Sequence, residues 1–228
     1  MSVPRTKDRE ERLADIASAA KEVFMSRGYQ GATMQEIAEK AGIGKGTIYL
    51  YYKGKEDLYT GLMLPSLDYA REKFHSLLEA TGSNIYRSGE DFLGALADLL
   101  VDLHDRDPEM GMVYQAFQIG SLFTGLSKEA FSQLSRAGKE NFQLLRRIFA
   151  SAIERGLIQE VDVVKTVDAL WGVYVGITQV EWHKLRWTRK DHLRETLHYA
   201  FSLVCTGLCQ RERANPTAPG YGDKAAAG

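Results

Sequence analysis

Apolar residues recur at intervals of three and four along almost the whole chain, from Leu13 to Val204, and no segment alternates apolar with polar residues as a half-buried strand does. That periodicity commits the chain to helices packed on helices. At 228 residues it is long enough to bury a core without disulfides or metals. The first stripe, Leu13, Ile16, Ala17, Ala20, Val23 and Phe24, predicts an amphipathic helix over residues 9–27, with Gly28 where a C-cap belongs. Thr33 and Glu36 then stand three apart in the form of a capping box, which opens a second helix reaching about Ala41. Gly42, Ile43 and Gly44 make a tight turn, and a short helix of residues 45–51 follows. Gly54 precedes a fourth helix whose first turn carries Glu56 and Asp57, acids that the helix dipole favours, and whose apolar positions run toward Glu79.

Past a polar stretch at residues 81–89 the stripes continue: Phe92, Leu96, Leu99, Leu100 and Leu103, stopped by Asp107 and Pro108, the proline starting the next helix. Ser127 caps a long helix carrying Phe131, Leu134, Gly138, Phe142, Leu145, Ile148, Phe149 and Ile153, with Gly156 as its stop. A helix over residues 162–185 is apolar on most of its circumference, and a last one, opened by a Thr188–Asp191 capping pattern, shows Leu193, Leu197, Phe201 and Val204. Residues 211–228 lose apolar periodicity and read as a disordered tail.

The three-helix arrangement at the N-terminus suits insertion of a short helix into a DNA major groove. Its residues are also specific. Ala19 to Phe24, Gly28 to Thr33, Ile37 and Ala38, Ala41 and Gly42, Gly44 to Tyr49, Tyr51 and Tyr52, and Lys55 to Leu58 resemble, in order and spacing, the signature of the TetR family of repressors, over about residues 9–62. The resemblance implies an all-α fold: a three-helix helix-turn-helix DNA-binding domain (residues 1–54, with the start of helix 4 to about 62) joined to a larger helical ligand-binding and dimerisation domain (55–210). The rest of the chain resembles the family in architecture alone.

Carried onto this sequence, the resemblance makes Thr33, Lys45, Gly46, Thr47, Tyr49, Leu50, Tyr51 and Lys55 the expected DNA-binding residues. Lys45 can neutralise a phosphate or reach a guanine edge, or else serve as a solvated cap; Gly46 permits close backbone approach. Thr47 offers a hydroxyl and a methyl to base edges, Leu50 can touch a thymine methyl, and Tyr49 and Tyr51 can bond phosphate through their hydroxyls. Thr33 and Lys55 open helices whose N-terminal amides can meet flanking phosphates. Two residues depart from the family's habit: Tyr52 stands where phenylalanine is common, and Gly44, in place of serine, removes a hydroxyl that can hold phosphate. Charge gives little warning of this role. The formal net charge is −1, and residues 1–60 hold ten Lys/Arg against nine Asp/Glu, so any basic surface is local.

In the second half, Gly172 and Gly176 lie four apart and let another helix approach, and Leu170, Val173, Ile177, Val180, Leu197, Phe201 and Val204 supply apolar surface for a homodimer interface. A dimer suits a palindromic operator, because two recognition helices must reach major-groove faces about 34 Å apart. Met110, Tyr114, Phe117, Phe142, Trp171 and Tyr174 offer adaptable or aromatic walls for a small apolar effector, with His104 and Gln118 as orienting groups. The expected function is a homodimeric repressor released from operator DNA by such an effector; an activator or a corepressor-dependent regulator uses the same contacts.

Other classes fit poorly. Gly42 to Thr47 imitates a phosphate loop, but Gly46 separates Lys45 from Thr47 and no strand precedes it. Glu195 and His198 have di-iron spacing without a second copy or partner glutamates, so no metal or cofactor is expected, and no enzyme activity. The two cysteines, Cys205 and Cys209, read as reduced thiols of a cytoplasmic protein, and no membrane partner is expected, since no run of about 18 apolar residues occurs.

Overall fold

The computed structural model describes residues 6–109, 111, 126–188 and 191–209. Among them are eight helices and no strand: α1 (Thr6–Gly31), α2 (Met34–Lys40), α3 (Lys45–Ile48), α4 (Lys55–Gly82), α5 (Gly89–Arg106), α6 (Lys128–Glu154), α7 (Val163–Thr188) and α8 (Leu193–Leu208). The expected tail, residues 211–228, lies outside the described residues.

The helix ends follow from local chemistry. Gly28 adopts φ 69° and breaks α1 where the sequence places its stop. Thr33 Oγ1 accepts from the Glu36 amide at 3.1 Å, and Ser127 Oγ accepts from the Ala130 amide at 3.2 Å, each satisfying a donor the first turn leaves free. The cap of α5, Ser88 bonded to the Asp91 amide, falls within the stretch read only as polar. The start of α8 differs from the expectation: His192 is its N-cap residue, and Asp191 Oδ1 accepts from the Leu193 amide at 2.9 Å. Asp191 thus turns the chain from two residues away, and the helix begins later than a Thr188 capping box requires.

Two buried clusters organise the molecule. The first gathers Ile16, Val23, Phe24, Tyr29, Ile37, Ile48, Leu58, Tyr59 and Met63 from α1 to α4. Phe24, Tyr29 and Tyr59 meet at its centre with ring centroids 5.0 to 6.1 Å apart. This cluster does not stop at residue 62, for it takes in Leu67 from α4 and Leu134 from α6. The second cluster is built on Phe74, Phe92, Leu96, Leu145, Ile148, Phe149, Val167, Leu197 and Phe201. Helix α4 packs chiefly on α6, and α5 on α8. A long α4 with Pro65 inside it therefore runs from one core to the other.

The chain leaves α8 at Cys209, whose sulfur is bonded to that of Cys205 with the Cα atoms 5.2 Å apart. This corrects the expectation of two reduced thiols. Spacing of four puts both on one helix face, and the extended backbone at Cys209 brings them within disulfide range. The bridge packs on the start of α5, where a side chain at Gly89 would put its Cβ 2.5 Å from Cys209 Sγ, so that only glycine fits.

Leu134 is fully buried and joins α6 to the N-terminal cluster. Leu134→Ala is expected to lower the unfolding free energy by about 2–5 kcal/mol in chemical denaturation, through the lost apolar contacts and the cavity left behind.

Candidate nucleic-acid interface and effector cavity

The expected DNA-binding surface is assembled around α3. Ile48 is fully buried and anchors this short helix on the N-terminal core, which turns its neighbours outward. Lys45 and Gly46 are exposed at its start, Thr47 is half-buried, and Tyr49 and Leu50 are 46 % and 80 % exposed just beyond it. A leucine left so far in solvent contributes nothing to the core. Thr33 is exposed at the N-terminus of α2, where its hydroxyl is engaged with both the amide and the carboxylate of Glu36. Tyr51 is half-buried and packs against the core, so less of its ring faces outward than that of Tyr49.

Lys55 is placed differently from the other cations. Its ammonium donates to the carbonyls of Gln30, at 3.2 Å, and Ala32, at 2.9 Å, and lies 4.5 Å from the centre of the Tyr29 ring. Burial pushes its pKa down. The side chain ties the start of α4 to the end of α1, and no side chain caps the α4 N-terminus at Gly54. The adjoining acids are also engaged: Asp57 Oδ2 accepts from the Lys53 amide at 2.8 Å, and Glu56 accepts from the Ser127 amide at the start of α6. Glu36 pairs with Arg27 at 3.7 Å and Glu22 with Lys40 at 2.5 Å. Lys45 and Lys53 are exposed beside α3, which makes the positive surface local, in a chain of net charge −1.

The second feature is a cavity of about 90 Å³ between α4, α5, α6 and α7. Phe142, Trp171 and Tyr174, three of the residues expected to wall an effector site, line it together: Phe142 meets Trp171 edge-on at 5.3 Å, and Trp171 meets Tyr174 at 5.2 Å. Burial raises the pKa of the Tyr174 phenol. His104 is half-buried on α5 but does not line the cavity; burial lowers its pKa against the pull of Asp105 and Asp191. Met110, Tyr114, Phe117 and Gln118 lie outside the described residues.

Sequence reasoning missed Met63, Leu67, Phe74, Asn141 and Leu145 on this wall. Asn141 carried a signal, because it occupies the same apolar face of α6 as Leu134, Gly138, Leu145 and Ile148, where a polar residue is out of place. At the mouth, Arg106 stacks 3.7 Å over the Tyr69 ring, whose hydroxyl donates to Asp102 at 2.9 Å. Asp107 also lines the cavity and is paired with Lys21 of α1, an ion pair that links the cavity rim directly to the N-terminal unit.

The expected interface residues divide between inside and outside. Leu170, Leu197 and Phe201 are buried within the chain's own second core, and Val173, Ile177 and Val204 are half-buried. Val180 is 51 % exposed. It continues an outward face of α7 through Ala169, Gly172, Gly176 and Trp187, the last 87 % exposed, with open space above both glycines. Tyr199 and Leu203 of α8 are exposed as well. Glu195 and His198, the pair with di-iron spacing, turn to different partners, Glu195 to His192 at 3.2 Å and His198 to Asp98 at 3.0 Å. Among the described residues no group of three potential metal ligands comes together, and no helix is long and apolar enough to cross a membrane.

With this geometry in view, the similarity to known proteins is informative. Residues 16–62, which build α3 and the core beneath it, match the family of bacterial regulatory proteins of the tetR type. Over these residues the chain carries the N-terminal helix-turn-helix domain of the TetR family of transcriptional regulators. It is 26 % identical over 169 residues to the uncharacterised HTH-type transcriptional regulator YfiR of Bacillus subtilis, covering 73 % of this chain and 78 % of that one. It is 27 % identical over 180 residues to the HTH-type transcriptional regulator TtgR of Pseudomonas putida, covering 77 % and 82 %. In fold it is similar to the TetR-family regulator PfmR of Thermus thermophilus, with a TM-score of 0.66 at 19 % identity, covering 89 % of this chain and 96 % of that chain. The likeness in fold thus extends through the helical second half.

The two lysines separate in their expected effects. Lys45→Ala is expected to weaken DNA binding and to reduce the slope of log affinity against log salt by about one, as loss of a phosphate contact does. Lys55→Ala is expected to leave that slope unchanged and to cost about 1–3 kcal/mol of stability, because two carbonyls lose their donor. Anisotropy titrations across salt, with thermal denaturation of both variants, check the pair.

Proposed function

We propose that the protein is a homodimeric transcriptional repressor that binds operator DNA through α3 and is released by a small, largely apolar effector seated in the cavity. One observation carries the coupling in this reading: Met63 and Leu67 of α4 belong both to the core beneath α3 and to the cavity wall. A ligand that displaces either side chain displaces a residue on which the DNA-binding unit rests. The Lys21–Asp107 pair offers a second path from the cavity rim to α1. For release, the effector must bind the DNA-incompetent arrangement better than the DNA-bound one; tight binding to both equally changes nothing.

The DNA-binding role falls to Lys45, Gly46, Thr47, Tyr49 and Leu50, with the N-termini of α2 and α4, at Thr33 and Lys55, holding flanking phosphates through backbone amides. Tyr51 supports this surface from beneath and lends its hydroxyl to the backbone. The dimer face is the outward side of α7, continued by exposed residues of α8. Gly172 and Gly176 allow a partner helix to come close, and Val180, Trp187, Tyr199 and Leu203 are the apolar groups it covers. Leu170, Leu197 and Phe201 support the face from within.

Two measurements test the reading. Fluorescence anisotropy on DNA from the protein's own upstream region is expected to show tight, salt-sensitive binding absent from a scrambled duplex; equal weak binding to both, together with failure to select any sequence from genomic DNA, overturns it. Val180→Glu is expected to shift the sedimenting species from dimer to monomer and to weaken operator binding at least tenfold, while circular dichroism stays unchanged, because the position is open in the single chain. A variant that sediments as the unaltered dimer contradicts the assigned face.

A further inference from the structure

Asn141 stands at the meeting of α6, α4 and the cavity. It is only 6 % exposed, and its Nδ2 donates to the Leu67 carbonyl at 3.0 Å, which fixes the orientation of the amide, since a carbonyl accepts only from the nitrogen side. Its Oδ1 is buried and has no hydrogen-bond partner among the described residues. Most of the described wall is apolar, with Met63, Leu67, Phe74, Phe142, Leu145 and Trp171, and Ser66, Arg106 and Asp107 are its other polar members besides the Tyr69 and Tyr174 hydroxyls. An acceptor left unpaired in such surroundings costs free energy, and a leucine at this place on the α6 stripe would fill the same space without that cost.

Charge at the mouth narrows the choice of ligand. Among the described residues that line the cavity, the two charged ones are engaged: Arg106 is held over Tyr69, and Asp107 is paired with Lys21. An anionic group brought to Asn141 would meet an acceptor, and a cationic one would leave water for an aromatic interior whose one carboxylate among the described lining residues, Asp107, is already paired. A neutral donor suits both constraints.

We propose that the cavity binds a small uncharged ligand, apolar over most of its surface, that carries one hydroxyl or N–H group and donates it to Asn141 Oδ1. This rests on reading the cavity as the effector site and adds the class of effector. The bond joins the ligand to the residue that already holds α4 through the Leu67 carbonyl, so occupancy is felt on the helix that reaches the DNA-binding unit. It also gives selectivity: a site that must satisfy a buried acceptor discriminates strongly against an analogue that lacks the donor.

The test uses the full-length protein and two nearly isosteric probes, indole, which has an N–H, and benzofuran, which has an oxygen there. Isothermal titration calorimetry is expected to give indole at least tenfold tighter binding than benzofuran, and Asn141→Leu is expected to bring the two within threefold of each other. Indole, but not benzofuran, is expected to shift the Asn141 side-chain amide resonances, a readout that holds even if the variant fails to fold. Equal affinities, a preference retained in folded Asn141→Leu, or no binding of either probe overturns the proposal. Operator binding is measured on the same preparation. If it persists after such a result, the ligand class is wrong and the regulator reading stands; if it is absent, the regulator reading has failed independently.

Discussion

The packing of α4 on α6 is the constraint on which the rest of the molecule depends. Their contact closes the N-terminal core through Leu67 and Leu134, and Leu67 also lines the adjoining cavity. A three-helix unit as small as residues 6–54 buries little apolar surface alone. By lending it α4 and one turn of α6, the fold gives α3 a rigid base and ties that base to the cavity. Pro65 sits in α4 close to this junction, where its missing N–H removes a helical hydrogen bond.

Much of the fold was legible because helix stripes, caps and glycine stops are local signals. Gly28, Thr33, Ser127 and Gly156 each mark a boundary through their own backbone or side-chain chemistry. The exposed residues of α3 were legible for another reason: the resemblance over about residues 9–62 implied that they face DNA. Lys55 shows the limit of that reasoning. Its position at the start of α4 was clear from sequence, but the choice between a phosphate and the carbonyls of Gln30 and Ala32 depends on the three-dimensional approach of α1 to α4.

The same limit explains the second half of the chain. Helix α7 is apolar on most of its circumference, so periodicity could not distinguish Leu170, which faces inward, from Val180, which faces out. On α8, Leu197 and Phe201 form the inner stripe, whereas Tyr199 and Leu203 are exposed. The cysteines went wrong for a related reason. Composition argued for free thiols, but the bend of the backbone at Cys209, which brings the two residues together, leaves no mark in a pattern.

The central claim is that two copies of this surface read DNA as a symmetric pair, and a hydroxyl-radical footprint on a duplex selected by the protein from a random pool tests it most directly. The account predicts two protected patches related by a two-fold axis and separated by whole helical turns, about 34 Å for each turn, with loss of both on Lys45→Ala. A single patch, protection without two-fold symmetry, or a pool that yields no preferred sequence would contradict it.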